Sequence, residues 1–189
     1  MDENDAELLC RFVERRDDPS FTKLVQRHLE LVYSAALRQV GGDPHRAQEI
    51  TQAVLTDLAR KARGLRYHSS LVGWLYTSTR FAAATARRSE LRRIAREGTA
   101  YTMQDLTPSL PSDADWNQLF PLLDDAMHEL NRRDREALLL RYFKKESFPE
   151  LGRKLGLGEN AARMSVERAL ERLRGLLVKR GITSTAAAL

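Results

Sequence analysis

Residues 99–121 divide the chain. This stretch holds three of the six prolines (Pro108, Pro111 and Pro121), carries no basic residue and keeps no helical period. Such a segment reads as a linker. Each side of it must then find its own core, with 98 residues before it and 68 after it. The residue types available decide what those cores are made of. Leu occurs 29 times and Ala 22 times, against 11 for Val and Ile together. That ratio favours helix and argues against a sheet-rich fold. The sequence therefore predicts an all-α chain: two small helical domains joined by a flexible Pro/Ser-containing linker. The expected boundaries are 1–98 for the N-terminal domain, 99–121 for the linker, 122–180 for the C-terminal domain and 181–189 for a tail.

Helix signals fill in the N-terminal half. A short helix is expected over Asp5 to Arg16. Asp18-Pro19 supplies a cap and a first-turn proline, and Gly41-Gly42 ends the second helix. Asp43-Pro44 repeats the start signal, and Ala47, Ile50, Val54, Leu58 and Ala62 form a stripe that ends at Gly64. A loop leads into a long helix from Leu71 to Arg96. Its apolar anchors, Trp74, Leu75, Tyr76 and Phe81 among them, lie in its first half, while Ala86 to Arg96 is mostly Arg. The C-terminal half is expected to hold helices over Leu122–Leu130, Arg132–Phe143, Pro149–Leu155 and Asn160–Arg180. Gly156-Leu157-Gly158-Glu159 joins the last two. A short helix, a glycine turn and a longer basic helix make the pattern of a DNA-binding helix-turn-helix, a pattern that other helical hairpins share.

Charge sharpens the reading. The net value is +5, and 25 of the 31 basic residues are Arg, the side chain suited to bidentate phosphate and base-edge contacts. Residues 60–96 carry 10 basic and 1 acidic side chain, residues 97–121 none and 4, and residues 122–189 carry 14 and 10. Two basic blocks separated by an acidic stretch suggest two places for a polyanion. A solvated helix face is the plainer alternative for either block.

Other classes find little support. No run of about 18 apolar residues exists to span a membrane, and the acidic start, Met1 to Asp5, does not read as a secretory signal. The single cysteine, Cys10, excludes an internal disulfide and a Cys-rich zinc site and is compatible with the cytoplasm. His28, His45, His68 and His128 are scattered without metal-ligand spacing, and there is no phosphate-cradling glycine loop and no nucleophile elbow. No catalytic residue, metal or cofactor is expected, and the chain reads as a non-enzyme.

Four segments carry a family resemblance. They are Ala6-Glu7-Leu8-Leu9-Cys10-Arg11-Phe12-Val13 with Asp17, Phe21 and Val25; Asp43 to Gln52; Gly73-Trp74-Leu75-Tyr76 with Arg80, Arg87 and Arg88; and Leu130, Arg135, Glu136, Leu138 to Phe143, Glu150-Leu151, Leu155-Gly156-Leu157 and Arg163 to Arg174. In this order, around such a linker, the chain resembles a bacterial RNA polymerase sigma factor of the small, two-domain extracytoplasmic-function class. The resemblance spans Ala6 to Leu177. It implies a cytoplasmic transcription initiation factor whose N-terminal domain docks on core RNA polymerase and reads and opens the minus-ten promoter element. The C-terminal helix-turn-helix would read the minus-thirty-five element. An anti-sigma factor is a partner that many members have.

Carried over residue by residue, the polymerase contact falls on Glu49, Gln52, Thr56 and Asp57, where polar positions spaced three to five apart share a helix side. Ala53 stands where the family usually has an acid, and Glu49 where it has Asp. The minus-ten set is the loop Arg66, Tyr67, His68, Ser69 and Ser70, followed by Arg80, Arg87, Arg88, Arg92 and Arg93. Opening DNA means capturing a base out of the stack, at a cost of a few kcal/mol. The loop has an aromatic to stack on and polar groups for a base edge; an ordinary polar surface loop is the alternative. The minus-thirty-five set is Asn160, Arg163, Met164, Glu167 and Arg168, with Lys144, Lys145, Arg153 and Lys154 at hand for phosphates. Ser165 stands where the family often has Arg, Gly158 where it has a Ser or Thr cap, and Asn131 where it often has Pro. The competing function is a stand-alone helix-turn-helix repressor or activator, which would bind closed duplex DNA without polymerase.

Overall fold

A computed structural model of the chain describes residues 3–67, 70–97 and 114–182, with side chains from 3–67, 70–93 and 122–182. It is helical throughout, with no strand among the described residues. The helices are α1 (Asp5–Arg15), α2 (Asp18–Gln39), α3 (Pro44–Leu65), α4 (Leu71–Glu97), α5 (Ala114–Glu129), α6 (Arg132–Leu138), α7 (Phe148–Leu155) and α8 (Glu159–Val178). A π-helical turn over Leu139–Phe143 continues α6. The chain divides into two compact units, the first holding α1–α3 and α4 from Leu75 on, the second Ser70–Trp74 and the residues from Pro121 on.

In the first unit α1, α2 and α3 pack on one another in all three pairings. Asn4 and Glu7 form a reciprocal capping box at the start of α1, and Arg16, in the left-handed region, ends it. The second helix is capped one residue earlier than its Asp-Pro signal suggests. Its N-cap is Asp17, whose carboxylate takes the Ser20 hydroxyl proton instead of a backbone N–H. The third starts as expected, with Asp43 Oδ1 accepting from Arg46 N at 3.1 Å, but it runs through Gly64 to Leu65. Leu8 and Leu9 of α1, Leu24, Leu31 and Val32 of α2, and Ile50, Val54 and Leu58 of α3 form the core.

Beneath α1 lies a buried polar group. His28 is 1% exposed, and its Nε2 sits 2.7 Å from Asp5 Oδ2. Arg27 Nη1 donates to the other oxygen at 2.7 Å. Burial pushes the Asp5 carboxyl up, but the hydrogen bonds and charges of His28 and Arg27 outweigh it and hold the group at about 2.

The second unit packs α6 and α7 against α8. Here α5 begins at Ala114, inside the stretch expected to be linker, and Pro121 lies within it; residues 99–113 of that stretch are outside the described residues. Arg135 closes the C-terminal end of α5. Its guanidinium donates to the carbonyls of Met127 at 2.9 Å, His128 at 2.6 Å and Leu130 at 2.8 Å, which satisfies carbonyls that lack helical partners. Asn131 accepts from Asp134 N at 3.0 Å and so caps α6 itself, in the place of the family's proline. The side chain of Asp134 is buried and accepts hydrogen bonds from Asn131 Nδ2 and from Arg172 of α8. The single helix expected over Arg132–Phe143 changes pitch at Leu139, where Lys144 N donates five residues back, to Leu139 O, at 3.1 Å.

Candidate functional site

The recognition hairpin is built from α7, its turn and α8. Ser147 and Glu150 form a capping box that starts α7. Gly156, at φ 67°, ends it in the left-handed conformation. The turn then folds back so closely that a Cβ on Gly152 would lie 2.6 Å from the Leu157 carbonyl oxygen. Leu157 N donates to Gly152 O at 2.7 Å in the same approach. Gly158 caps α8 without a side-chain hydrogen bond.

Along α8, Ala162, Val166, Ala169, Leu173 and Leu177 are buried. Asn160, Arg163, Met164, Glu167 and Arg168 are all exposed, so the five predicted readers do share the outward side of one helix. Arg168 Nε donates to Met164 O at 3.2 Å. The guanidinium of Arg163 lies over the Phe148 ring, 4.8 Å from its centroid. Of the basic residues expected at phosphates, Lys145, Arg153 and Lys154 are exposed, and Lys154 is ion-paired with Glu146.

The predicted polymerase residues lie together on α3. Glu49, Gln52, Thr56 and Asp57 line one open groove between α3 and α4. Glu49 is 3.6 Å from His45, and Asp57 accepts a hydrogen bond from Lys61 Nζ at 3.0 Å. The Thr56 hydroxyl is turned inward to Gln52 O at 2.8 Å. Ala53, where the family's acid is missing, is exposed beside them. Two further residues belong to this groove. Arg46 bridges it, reaching Asp43 at 3.3 Å and Glu90 of α4 at 3.5 Å. Phe81, read from the sequence as an apolar anchor, is 58% exposed in it. The spacing of the buried Leu75, Thr79 and Ala83, four apart, already places Phe81 on another side of α4.

The loop set separates. Arg66 does not project toward a ligand. It is ion-paired with Glu14 of α1 at 2.8 Å and lies 4.6 Å over the ring of Tyr67. Tyr67 is 78% exposed, an aromatic with a free face. His68 and Ser69 lie outside the described residues. The Ser70 hydroxyl accepts from Gly73 N at 3.1 Å and so caps the start of α4. Beyond the loop, Arg80 is half-buried, and Arg87, Arg88, Arg92 and Arg93 are exposed. Arg93 grips Glu90 through two nitrogens, at 2.8 and 3.1 Å, so part of its charge is neutralised locally; the hydrogen bonds and charge of Arg93 are also what hold the Glu90 carboxyl below its ordinary value.

Two family models match these same units. Residues 24–93 match sigma-70 region 2 and residues 121–173 match sigma-70 region 4. The chain is 32% identical over 171 residues to the RNA polymerase sigma factor CarQ of Myxococcus xanthus, covering 88% of this chain and 94% of that protein. The chain belongs to the sigma-70 family. The ECF RNA polymerase sigma factor SigE of Mycolicibacterium smegmatis is 26% identical over 163 residues, which span 85% of this chain and 63% of SigE. A co-crystal structure of the sigma factor RpoE with the anti-sigma factor NepR from Bartonella quintana aligns at a TM-score of 0.41 and 20% identity, covering 83% of this chain and 96% of that one. The chain is thus an ECF sigma factor: a non-enzymatic initiation factor that binds RNA polymerase and gives it promoter specificity. That assignment disfavours the stand-alone regulator.

In this sigma factor the regions carry different surfaces. Region 2 presents an acidic and amide face on α3 and a cationic one on α4, while region 4 presents a mixed Arg, Asn and Glu face on α8. Gly152 and Phe148 are the residues of region 4 that sequence reasoning passed over. The signal for Gly152 is faint: glycine inside a short helix, four residues before the turn.

Proposed function

We propose that the two units divide promoter recognition between them. The α3 face, Glu49, Gln52, Thr56 and Asp57, docks on core polymerase. The exposed Tyr67, with its neighbours in the loop, receives a base extruded from the minus-ten element, and the arginines of α4 hold the flanking phosphates. The outward side of α8 enters the major groove at the minus-thirty-five element. Residues 99–121 join the two domains, 1–98 and 122–180, and the protein works in the cytoplasm with core polymerase and promoter DNA as its partners. An anti-sigma factor is a further partner, of the kind that many members of the family have.

The observation that carries the reading is the pairing, in one chain, of a polar α3 face with two separately built cationic helices. A stand-alone duplex-binding regulator would use the helix-turn-helix unit for DNA and the first unit for dimerisation or ligand sensing, and would not need a cationic helix in that first unit. Within the loop, Arg66 is paired with Glu14 and Ser70 caps α4, and the exposure of Tyr67 supports a stacking role for its ring.

The test is run-off transcription with purified core polymerase and a pool of genomic promoter fragments, read together with permanganate reactivity of unpaired thymines. Transcripts from a subset of fragments, with opening upstream of each start, are expected. Binding of the free chain to closed duplex with equal affinity, and no transcription, would return the stand-alone regulator. Tyr67→Ala holoenzyme is expected to keep closed-complex affinity but open less, since base–aromatic stacking is worth about 1–3 kcal/mol. Wild-type opening by that variant would remove the loop from the melting step.

A further inference from the structure

We propose that Phe148 is a positioning residue for Arg163, holding its guanidinium in place for a base edge. The inference rests on the reading of α8 as the reader of the upstream element. Phe148 is the first residue of α7, next to the capping Ser147. Its ring is approached by two guanidinium groups, Arg141 at 4.5 Å and Arg163 at 4.8 Å from the centroid. One residue comes from the π-helical turn, one from α7 and one from α8. Three elements therefore meet at a single aromatic side chain.

Two like charges this close to one ring would otherwise repel. The negative face of an aromatic ring attracts a cation, and Arg in particular stacks on it. Arg141 is fixed independently, because its Nη1 donates to Glu146 O at 2.8 Å. Arg163 has a looser hold elsewhere. Its carboxylate neighbour, Glu159, is 3.9 Å away, and both side chains are about half exposed. The ring is the closer constraint on where the Arg163 fork points. A fork held before binding loses less rotamer freedom when it meets a guanine edge, and pre-organisation of this kind raises selectivity without adding a contact. The π-helical turn serves the same end. A five-residue hydrogen-bond step changes the direction in which side chains leave the helix, and Arg141 leaves from within it.

The experiment uses holoenzyme assembled from the full chain and core polymerase, selecting from a duplex library randomised over the upstream element. Arg163→Ala is expected to lose preference at one base pair. Phe148→Leu is expected to lose preference at that same base pair by roughly two- to five-fold, the yield of an exposed cation–π contact. Phe148→Tyr keeps the ring and keeps the preference. The double variant Phe148→Leu with Arg163→Ala is expected to be no less selective than Arg163→Ala alone. The deciding arm replaces Phe148 by pentafluorophenylalanine, which retains the ring's packing but reverses its quadrupole. Loss of the preference in that arm supports the proposal even where the Leu variant folds poorly. Wild-type selectivity in that arm, with Arg163→Ala still impaired, overturns it and leaves α8 as the reader. Unchanged selectivity in Arg163→Ala overturns both the reading of that residue and the proposal built on it.

Discussion

From Ala84 to Arg93 nearly every residue of α4 is exposed, whereas α8 buries a residue at every third or fourth position from Ala162 to Leu177. Both helices are rich in arginine, yet they carry the charge differently. The end of α4 is a rod with little packed against it, stiffened by local pairs such as Glu90–Arg93 and Arg92 Nε to Arg88 O at 3.3 Å. A rod with cations on several sides suits a phosphate backbone, which offers charge and no register. In contrast, α8 has one side fixed by a core, and so it can deliver one set of side chains at one angle. Groove readout needs that fixed angle, since a bidentate contact depends on orientation. On the proposed reading, the same residue type would serve affinity in one place and selectivity in the other, according to what lies behind it.

The strongest way to break this contrast is to disturb the packing behind α8. A Cβ at Gly152 meets a backbone oxygen at 2.6 Å, and backbone cannot swing aside as a side chain can. Gly152→Ala should therefore destabilise the C-terminal unit by about 1–3 kcal/mol, the usual cost of overpacking. Calorimetry should show that unit melting earlier with the N-terminal unit unmoved. Selectivity at the upstream element should fall with it, while salt-dependent, sequence-independent binding should persist through α4. A single shifted transition for the whole chain would mean that the two units are not energetically separate.

Acid should act on the other side of the comparison. Asp5 has a folded pKa of about 2 against 3.8 for the unconstrained group. A depressed carboxylate stabilises the fold above its unfolded pKa and loses that contribution as pH falls through the folded value. The contribution is thus complete above about pH 4 and disappears toward pH 2. At 1.36 kcal/mol per unit it is about 2 kcal/mol. Asp5→Asn should flatten the pH dependence of N-terminal unfolding in that window, as followed by urea titration at several pH values. The C-terminal unit has a smaller counterpart in Glu150, lowered by its hydrogen bonds from Ser147, with the same sign.

What could be read from the sequence follows from the range of each interaction. Asp43-Pro44, Gly41-Gly42 and Gly156 act within a few residues of themselves, and the helix ends they predict are where the structure has them. The stripe along α8 is equally local. The Asp18-Pro19 signal was displaced by one position because Ser20 engages Asp17, a choice between adjacent carboxylates that spacing cannot settle. Early onset of α5 and the π-helical turn were invisible because a proline and a run of leucines are compatible with either outcome. The site fared unevenly for the same reason. The exposed faces of α3 and α8 were legible as periodic polar positions. The ion pair of Arg66 with Glu14 joins residues 52 apart, and the meeting of Arg141, Phe148 and Arg163 joins three elements. Nothing in local spacing announces such contacts. Phe81 counts among the apolar anchors by composition alone, whereas the buried residues of α4 recur at steps of four and leave it exposed.

A smaller effect would sharpen the contrast between rod and reader. Arg92 is exposed on the unpacked part of α4. Arg92→Ala should weaken holoenzyme binding to all promoters alike and lower the slope of log affinity against log salt by about one unit. Base preferences should stay as they are. A promoter-dependent loss would instead make α4 a reader of sequence and erase the distinction drawn from its exposure.

The smallest change in stability is expected on the α3 face proposed to dock on the polymerase. Gln52 is exposed on α3, opposite the buried stripe Ala47, Ile50, Val54 and Leu58, and Asp57 is half-exposed at the edge of that stripe. Asp57 gives up one exposed pair with Lys61, at 3.0 Å, an interaction type worth little in water. Gln52→Ala with Asp57→Ala should thus shift stability by within about 0.5 kcal/mol. Affinity for core polymerase, measured by pull-down or titration, should nevertheless fall, because the face loses its amide and one of its two carboxylates together. Promoter binding by the assembled holoenzyme, once saturated with sigma factor, should return to normal, since neither α4 nor α8 is altered. That combination, intact folding with impaired assembly, is what separates a docking face from a merely solvated one. Unchanged polymerase affinity would assign the face to solvent and move the search to the apolar groove between α2 and α3, lined by Val25, Leu29, Tyr33 and Leu55.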